Sequence, residues 1–201
     1  MTPLLALLIA YILGAIPFGY LLVKWRTGGD IRASGSGNIG ATNVLRTTGR
    51  AAGVVTLVLD IAKGYVAVWI AERLTQGDTT WAALATLAVM AGHAYPVFLK
   101  FKGGKAVASF IGAFLRLTPV PMIAVLLVFV GIVAWTRYIS LGSVIAAGTF
   151  PLAVWLILQP SFIVVFVALA AGLFVIYRHR SNLKRLREGS EHLLSFGTRR
   201  T

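Results

Sequence analysis

Three polar runs carry the side chains that could do chemistry in this chain. The first, Ser34-Gly-Ser-Gly-Asn-Ile-Gly-Ala-Thr-Asn-Val-Leu-Arg46, interleaves Gly35, Gly37 and Gly40 with Ser34, Ser36, Asn38, Thr42 and Asn43 and closes on Arg46. Glycines let backbone approach a ligand, and the hydroxyls and amides supply neutral donors, so such a loop can cradle phosphate. A flexible polar linker has a similar composition, and the Walker spacing is absent.

The second run is Gly92-His-Ala-Tyr-Pro-Val-Phe-Leu-Lys-Phe-Lys-Gly-Gly-Lys105, followed directly by a new apolar stretch. Lys102 and Lys105 flank Gly103 and Gly104 at an expected helix amino end, where unpaired N–H groups and the helix dipole favour an anion. A basic anchor for lipid headgroups would account for the lysines but has no need of the glycine pair. His93 gains weight only from this company.

The third run, Tyr177-Arg-His-Arg-Ser-Asn-Leu-Lys-Arg-Leu-Arg-Glu-Gly-Ser-Glu191, places Leu183 and Leu186 on one helical face opposite Lys184, Arg185 and Arg187. That pattern suits an interfacial amphipathic helix on anionic phospholipid. Arg178, His179 and Asn182 stand where the preceding apolar helix emerges and are expected to face a shared pocket. Ser140 and Ser143 could add hydroxyl donors from a fourth direction, with helix capping the equal alternative. Asp60 and Lys63, three apart on one helix face, read as a structural ion pair beneath the site.

These runs must be positioned by membrane helices. Of 201 residues 58% are hydrophobic and 12% charged, against about a quarter charged in soluble domains. Apolar stretches at about 3–23, 52–71, 80–99, 106–118, 119–135, 141–158 and 160–177 predict an all-α, polytopic helix bundle of about seven transmembrane segments in one domain. The fourth is short, suited to a half-helix or re-entrant element buried by protein; a five-crossing version would fold the fourth and fifth into a re-entrant hairpin.

Lys and Arg concentrate in short loops that stay cytoplasmic. With the amino terminus outside, 16 of the 19 Lys and Arg residues fall inside: Lys24, Arg26, Arg32, Arg46 and Arg50, then Lys100, Lys102 and Lys105, then Arg137, and seven in the tail from Arg178 to Arg200. Only Arg73 and Arg116 fall outside, and Lys63 lies within a helix. The carboxyl terminus and all three polar runs are thus cytoplasmic. The first apolar run has cations after it and none before, the reverse of a cleavable signal peptide.

The formal charge of +13 is confined to loops between apolar runs, which favours anionic lipid and phosphorylated substrates over nucleic acid. The chain has no cysteine, which excludes disulfides and thiolate catalysis. Three histidines without paired spacing and six scattered acidic residues give no metal site, and no cofactor is expected.

The three runs together resemble the PlsY glycerol-3-phosphate acyltransferases, a family of polytopic bacterial enzymes with three cytoplasmic motifs. Ser34 to Arg46 matches the first motif. Gly92 to Lys105 matches Gly-His-x-x-Pro-x-Phe-x-x-Phe-Lys-Gly-Gly-Lys, and Arg178 to Glu191 matches Arg-His-x-x-Asn-x-x-Arg-Leu-x-x-Gly-x-Glu. The chain departs at Ala106, where the family usually has Gly. The resemblance implies transfer of a fatty acyl group from a long-chain acyl phosphate to glycerol 3-phosphate, giving 1-acylglycerol 3-phosphate, or lysophosphatidic acid, and inorganic phosphate. It also implies a monomer in the bacterial plasma membrane that needs no metal.

An acyl phosphate is already activated, so no acyl-enzyme is required, and no Gly-x-Ser-x-Gly elbow is present. No histidine has Asp five residues later; Phe98, Lys184 and Gly197 stand there. Catalysis is expected from positioning and charge stabilisation. Lys105 with nearby amides would hold one phosphate, and Arg46 with Asn38 and Ser36 the other. Lys105, His179, Asn182 and Arg46 are the catalytic candidates. Ser34, Ser36, Gly37, Asn38, Gly40, Thr42, Asn43, His93, Lys102, Gly103, Gly104, Ser143, Arg178 and Glu191 are the substrate-binding ones. The hydroxyl proton could pass to His179 or to a substrate phosphate. The rival reading is a transporter for a phosphorylated solute, which would place its site near the bilayer midplane within internal repeats.

Overall fold

The structure, a computed structural model, describes residues 1–194. Arg199 and Arg200 of the basic tail, and Gly197, lie outside the described residues. Among the described residues ten α-helices follow in order: α1 (Thr2–Ala15), α2 (Phe18–Thr27), α3 (Ala41–Thr48), α4 (Arg50–Leu74), α5 (Thr79–Ala94), α6 (Val107–Leu117), α7 (Pro119–Thr136), α8 (Ile139–Leu158), α9 (Phe162–Arg178) and α10 (Arg180–Arg187). No strand occurs among the described residues.

All seven apolar runs become helical, but fewer than seven can cross a bilayer unaided. Five stretches are long and apolar enough: 2–27, α4, 79–99, α7 and α8; α9 joined to α10 across a 54° bend makes a sixth. Helix α6, with 11 residues, rises only about 16 Å against a hydrocarbon core of about 30 Å. By length and composition the structure thus supports five or six spans, against the expected seven, with α6 too short to cross unaided and α9 qualifying only together with α10.

Local chemistry sets the element ends. Asp78 caps α5 by accepting from Thr80 N–H at 2.8 Å, a normal N-cap. Pro119 opens α7, where a missing N–H costs nothing, and Gly28 closes α2 in the left-handed conformation. The first span breaks at Ile16 and Pro17, so the Ile16 carbonyl loses its helical partner and keeps only a tight backbone bond from Phe18 N–H at 3.2 Å. Lys63 Nζ donates to that carbonyl at 2.8 Å and pairs with Asp60 Oδ1 at 2.8 Å. The Asp60–Lys63 pair is thus structural, as its spacing suggests, and it restores the backbone partner that a broken membrane helix loses.

Helix α6 packs against α4 at backbone distance. A Cβ on Gly112 would sit 1.8 Å from the Ile61 carbonyl oxygen, and one on Gly64 2.3 Å from that of Ser109, so small residues are obligatory at this crossing. On its other side, Phe110 and Phe114 interlock with Phe150 of α8 at centroid distances of 4.5–5.0 Å. These contacts fix the start of α6, and with it the loop that carries Lys105.

Candidate active site

The first polar run is organised from within by Asn43. Its side-chain amide donates to the carbonyls of Ser34 (3.0 Å) and Asn38 (2.9 Å), and its Oδ1 accepts from Ser36 N–H at 2.9 Å. Asn43 is buried, so this amide shapes the loop and keeps no free donor for a ligand. Asn38 Oδ1 accepts from Gly40 N–H at 2.8 Å, turning the chain into α3. Ser34, Ser36 and Gly37 lie exposed along this loop, and Thr42 sits in the first turn of α3. Arg46, in the last turn of α3, is close enough to Glu191 and Arg185 for their charges to act on its guanidinium.

The second run folds back on the end of α5. The amides of Gly103 and Gly104 donate to the carbonyls of Ala94 (3.2 Å) and His93 (3.1 Å), so these two N–H groups hold the loop rather than a phosphate. Gly104 lies flat on the His93 imidazole; a Cβ there would come within 2.2 Å of Nε2. The opposite ring nitrogen of His93 lies 3.3 Å from Ser109 Oγ and 3.7 Å from Asp60 Oδ1. His93 therefore belongs to the buried layer beneath the loop, not to its open surface. Lys102 is exposed at the rim, whereas Lys105 turns inward. Ala106 follows with φ of +62°, a left-handed conformation that fits the family's usual glycine better than alanine.

The third run supplies the partners. Lys105 Nζ donates to Asn182 Oδ1 at 2.5 Å, Asn182 Nδ2 to Glu191 Oε1 at 2.6 Å, and Arg185 Nε to Glu191 Oε2 at 2.7 Å. Arg185 thus turns inward, a correction to its expected place on the outer cationic face of α10. The Arg178 guanidinium donates to the carbonyls of Gly104 (2.8 Å and 3.1 Å) and Gly103 (3.2 Å) and stacks 5.0 Å from the Tyr95 ring centroid. It clamps the lysine loop to the end of α9. His179, 3% exposed at the α9–α10 junction, donates Nδ1–H to the Val175 carbonyl at 2.8 Å. A carbonyl can only accept, so the neutral ring presents Nε2 as an acceptor.

Burial lowers the Lys105 pKa to about 8, with Glu191 working against that shift and Arg185, Arg178 and Arg46 adding to it. Burial also lowers His179 to about 4, assisted by the Lys105 charge. Burial opposes ionisation of Glu191, but bonds from Asn182 and Arg185, with the Ser140 hydroxyl nearby, outweigh it and hold this carboxyl below its ordinary range. Ser140 Oγ is buried and has no partner of good hydrogen-bond geometry; it contributes through proximity to the carboxylate. Ser143 Oγ instead donates to Ile139 O within α8 at 2.8 Å.

One carboxylate among Lys105, Arg46, Arg178 and Arg185 leaves a positive excess suited to phosphate. Tyr95, Arg185 and Tyr11, whose hydroxyl donates to the Tyr95 carbonyl at 2.8 Å, were not among the expected site residues. Only an aromatic beside Pro96 and the Arg185–Glu191 spacing hinted at two of them. No cluster of three metal-ligating side chains occurs among the described residues.

The family model for glycerol-3-phosphate acyltransferase matches residues 4–189. The glycerol-3-phosphate acyltransferase of Geobacter sulfurreducens is 50% identical over 184 residues, covering 92% of this chain and 93% of the relative. That of Desulforamulus reducens is 44% identical over 190 residues, covering 94% of each. A crystal structure of PlsY, an integral membrane glycerol 3-phosphate acyltransferase, in its glycerol 3-phosphate form superposes with a TM-score of 0.92 at 40% identity, covering 97% of this chain and 96% of that one. Its lysophosphatidic acid form gives 0.89 at 38%, covering 98% and 97%. On sequence and fold alike, this chain belongs to the glycerol-3-phosphate acyltransferase family.

Proposed function

We propose that this chain transfers a fatty acyl group from acyl phosphate to the 1-hydroxyl of glycerol 3-phosphate, releasing 1-acylglycerol 3-phosphate and inorganic phosphate. The observation that carries this reading is the Lys105–Asn182–Glu191–Arg185 chain of hydrogen bonds. It joins the second and third polar runs into one cationic pocket, with Arg46 of the first run within electrostatic reach. Two anionic substrates repel each other, and a site with surplus fixed cations removes that barrier and orients both.

Lys105 and Arg46 bind the phosphates, and Asn182 aims the Lys105 ammonium. The glycerol hydroxyl oxygen forms a bond to the acyl carbonyl carbon as the bond from that carbon to the phosphate oxygen breaks. The proton leaves on the departing phosphate. The Nδ1–H bond to the Val175 carbonyl leaves neutral His179 Nε2 as a hydrogen-bond acceptor that orients the hydroxyl. A His179→Gln protein that keeps its pH profile and loses mainly apparent affinity for glycerol 3-phosphate fits this division. Disappearance of an acidic limb from the profile would make His179 the base instead.

All three runs come from one chain, which supports a functional monomer, and the cation distribution supports a bacterial plasma membrane protein with the site facing the cytoplasm. The test is phosphate release by purified protein in lipid, with palmitoyl phosphate and with or without glycerol 3-phosphate. Release that needs both substrates and yields lysophosphatidic acid without added metal is expected. A folded protein that releases nothing overturns the assignment and makes solute transport the next assay.

A further inference from the structure

Helix α10 has two faces with different duties. One turns Asn182 and Arg185 into the site, where they meet Lys105 and Glu191. The other presents Arg180, Lys184 and Arg187 around half-buried Leu183, forming an open cleft of about 320 Å³ with Glu188. At 100° per residue, Arg180, Leu183, Lys184 and Arg187 share an arc opposite Asn182. The three cations are exposed, and the Arg180 guanidinium sits 4.7 Å from the centroid of the Tyr177 ring. Tyr177 is 55% exposed at the end of α9, the place of an interfacial aromatic. Helix α10 leaves α9 at a 54° bend, and a basic face beside an exposed aromatic at such a bend fits the membrane surface.

We propose that this outer face docks on the anionic headgroups of the bilayer, and that the docking sets the position of Asn182 and so the rate of acyl transfer. Lys184 lies 3.8 Å from the Glu188 carboxylate, so the three cations leave a net positive face around one aliphatic side chain, complementary to a negatively charged lipid surface, which attracts basic segments beside a membrane helix. No loop separates the docking face from the site: pulling one side of an eight-residue helix to the surface fixes the other. Anionic lipid therefore acts as an activator of the same site, a step that rests on the acyltransferase reading for its rate but not for its binding.

The chain contains no cysteine, so Ser181→Cys, exposed beside Arg180, accepts one environment-sensitive fluorophore. The labelled protein, and the same protein carrying Arg180→Gln, Lys184→Gln and Arg187→Gln, would be reconstituted in phosphatidylcholine vesicles with increasing phosphatidylglycerol. The expected result is label immersion and a severalfold rise in kcat with phosphatidylglycerol, both lost in the triple variant and in high salt. Each cation removed should lower apparent affinity for the anionic surface about fivefold. The triple variant should match the parent in phosphatidylcholine alone, which shows that it is folded.

Equal responses in parent and variant overturn the proposal. So does immersion without a change in kcat, and so does an equal rise produced by inorganic phosphate in neutral vesicles, which would make the face a soluble-anion site. If no vesicle supports acyl transfer, the enzymatic reading fails, while label immersion still decides the docking.

Discussion

Two groups of charged side chains lie one loop apart and serve opposite ends. Asp60 and Lys63 face each other at 2.8 Å with 3% of each side chain exposed, and Lys63 is closed off by the Ile16 carbonyl. One anion meets one cation there, and the pair holds a broken helix. Above Gly104, a single carboxylate, Glu191, serves four cations, and its own bonds go to Asn182 and Arg185. The pair is balanced and sealed, whereas the upper group carries surplus positive charge suited to an anion. Charge balance, more than burial, separates scaffold from site in this bundle.

The sharpest way to break that contrast is to remove one member of each group. Asp60→Ala leaves Lys63 buried and unpaired, which costs about 3–5 kcal/mol, so thermal unfolding in detergent should shift strongly or no folded protein should be recovered. Lys105→Ala should unfold like the parent yet lose about 10²–10³-fold in kcat, the scale of one lost charge-stabilising donor. Equal thermal damage from both substitutions would erase the distinction.

A finer probe is pH. Lys105 is charged below its folded pKa of about 8, so kcat/KM for glycerol 3-phosphate should fall as pH rises through that value. Lys105→Arg, always charged, should remove the alkaline limb even where its absolute rate is lower. A limb that survives this substitution belongs to another group.

The smallest expected effect is at the hinge between the two groups. Ala106→Gly relieves a left-handed alanine worth about 1 kcal/mol but gives up a fully buried methyl worth about 0.8 kcal/mol. Denaturation should therefore change by less than about 1 kcal/mol, with activity retained.

Much of this was legible in sequence because it is local. Apolar runs mark the helices, the Asp60–Lys63 spacing marks the buried pair, and the glycine pair before Lys105 marks a loop of close approach. What one sequence hides is how local donors are used. Asn43 reads as a ligand donor until its own loop takes both amide hydrogens, and Gly103 and Gly104 read as phosphate amides until α5 takes them. Arg178 reads as a pocket cation, but its donors meet carbonyls 74 and 75 residues away. Such partners are set by tertiary packing and leave no periodic trace.

The half-length of α6 also governs traffic. Its first turn lies at the level of Asp60, where His93 Nδ1 stands 3.3 Å from Ser109 Oγ and 3.7 Å from Asp60 Oδ1, about 15 Å along α4 from Arg50. Under the proposed acyl transfer, a long-chain donor would reach this level sideways, by two-dimensional diffusion in the leaflet. Under that reading the donor's mixed anhydride would stay out of water, where hydrolysis competes, and the acylated product would return to the same leaflet.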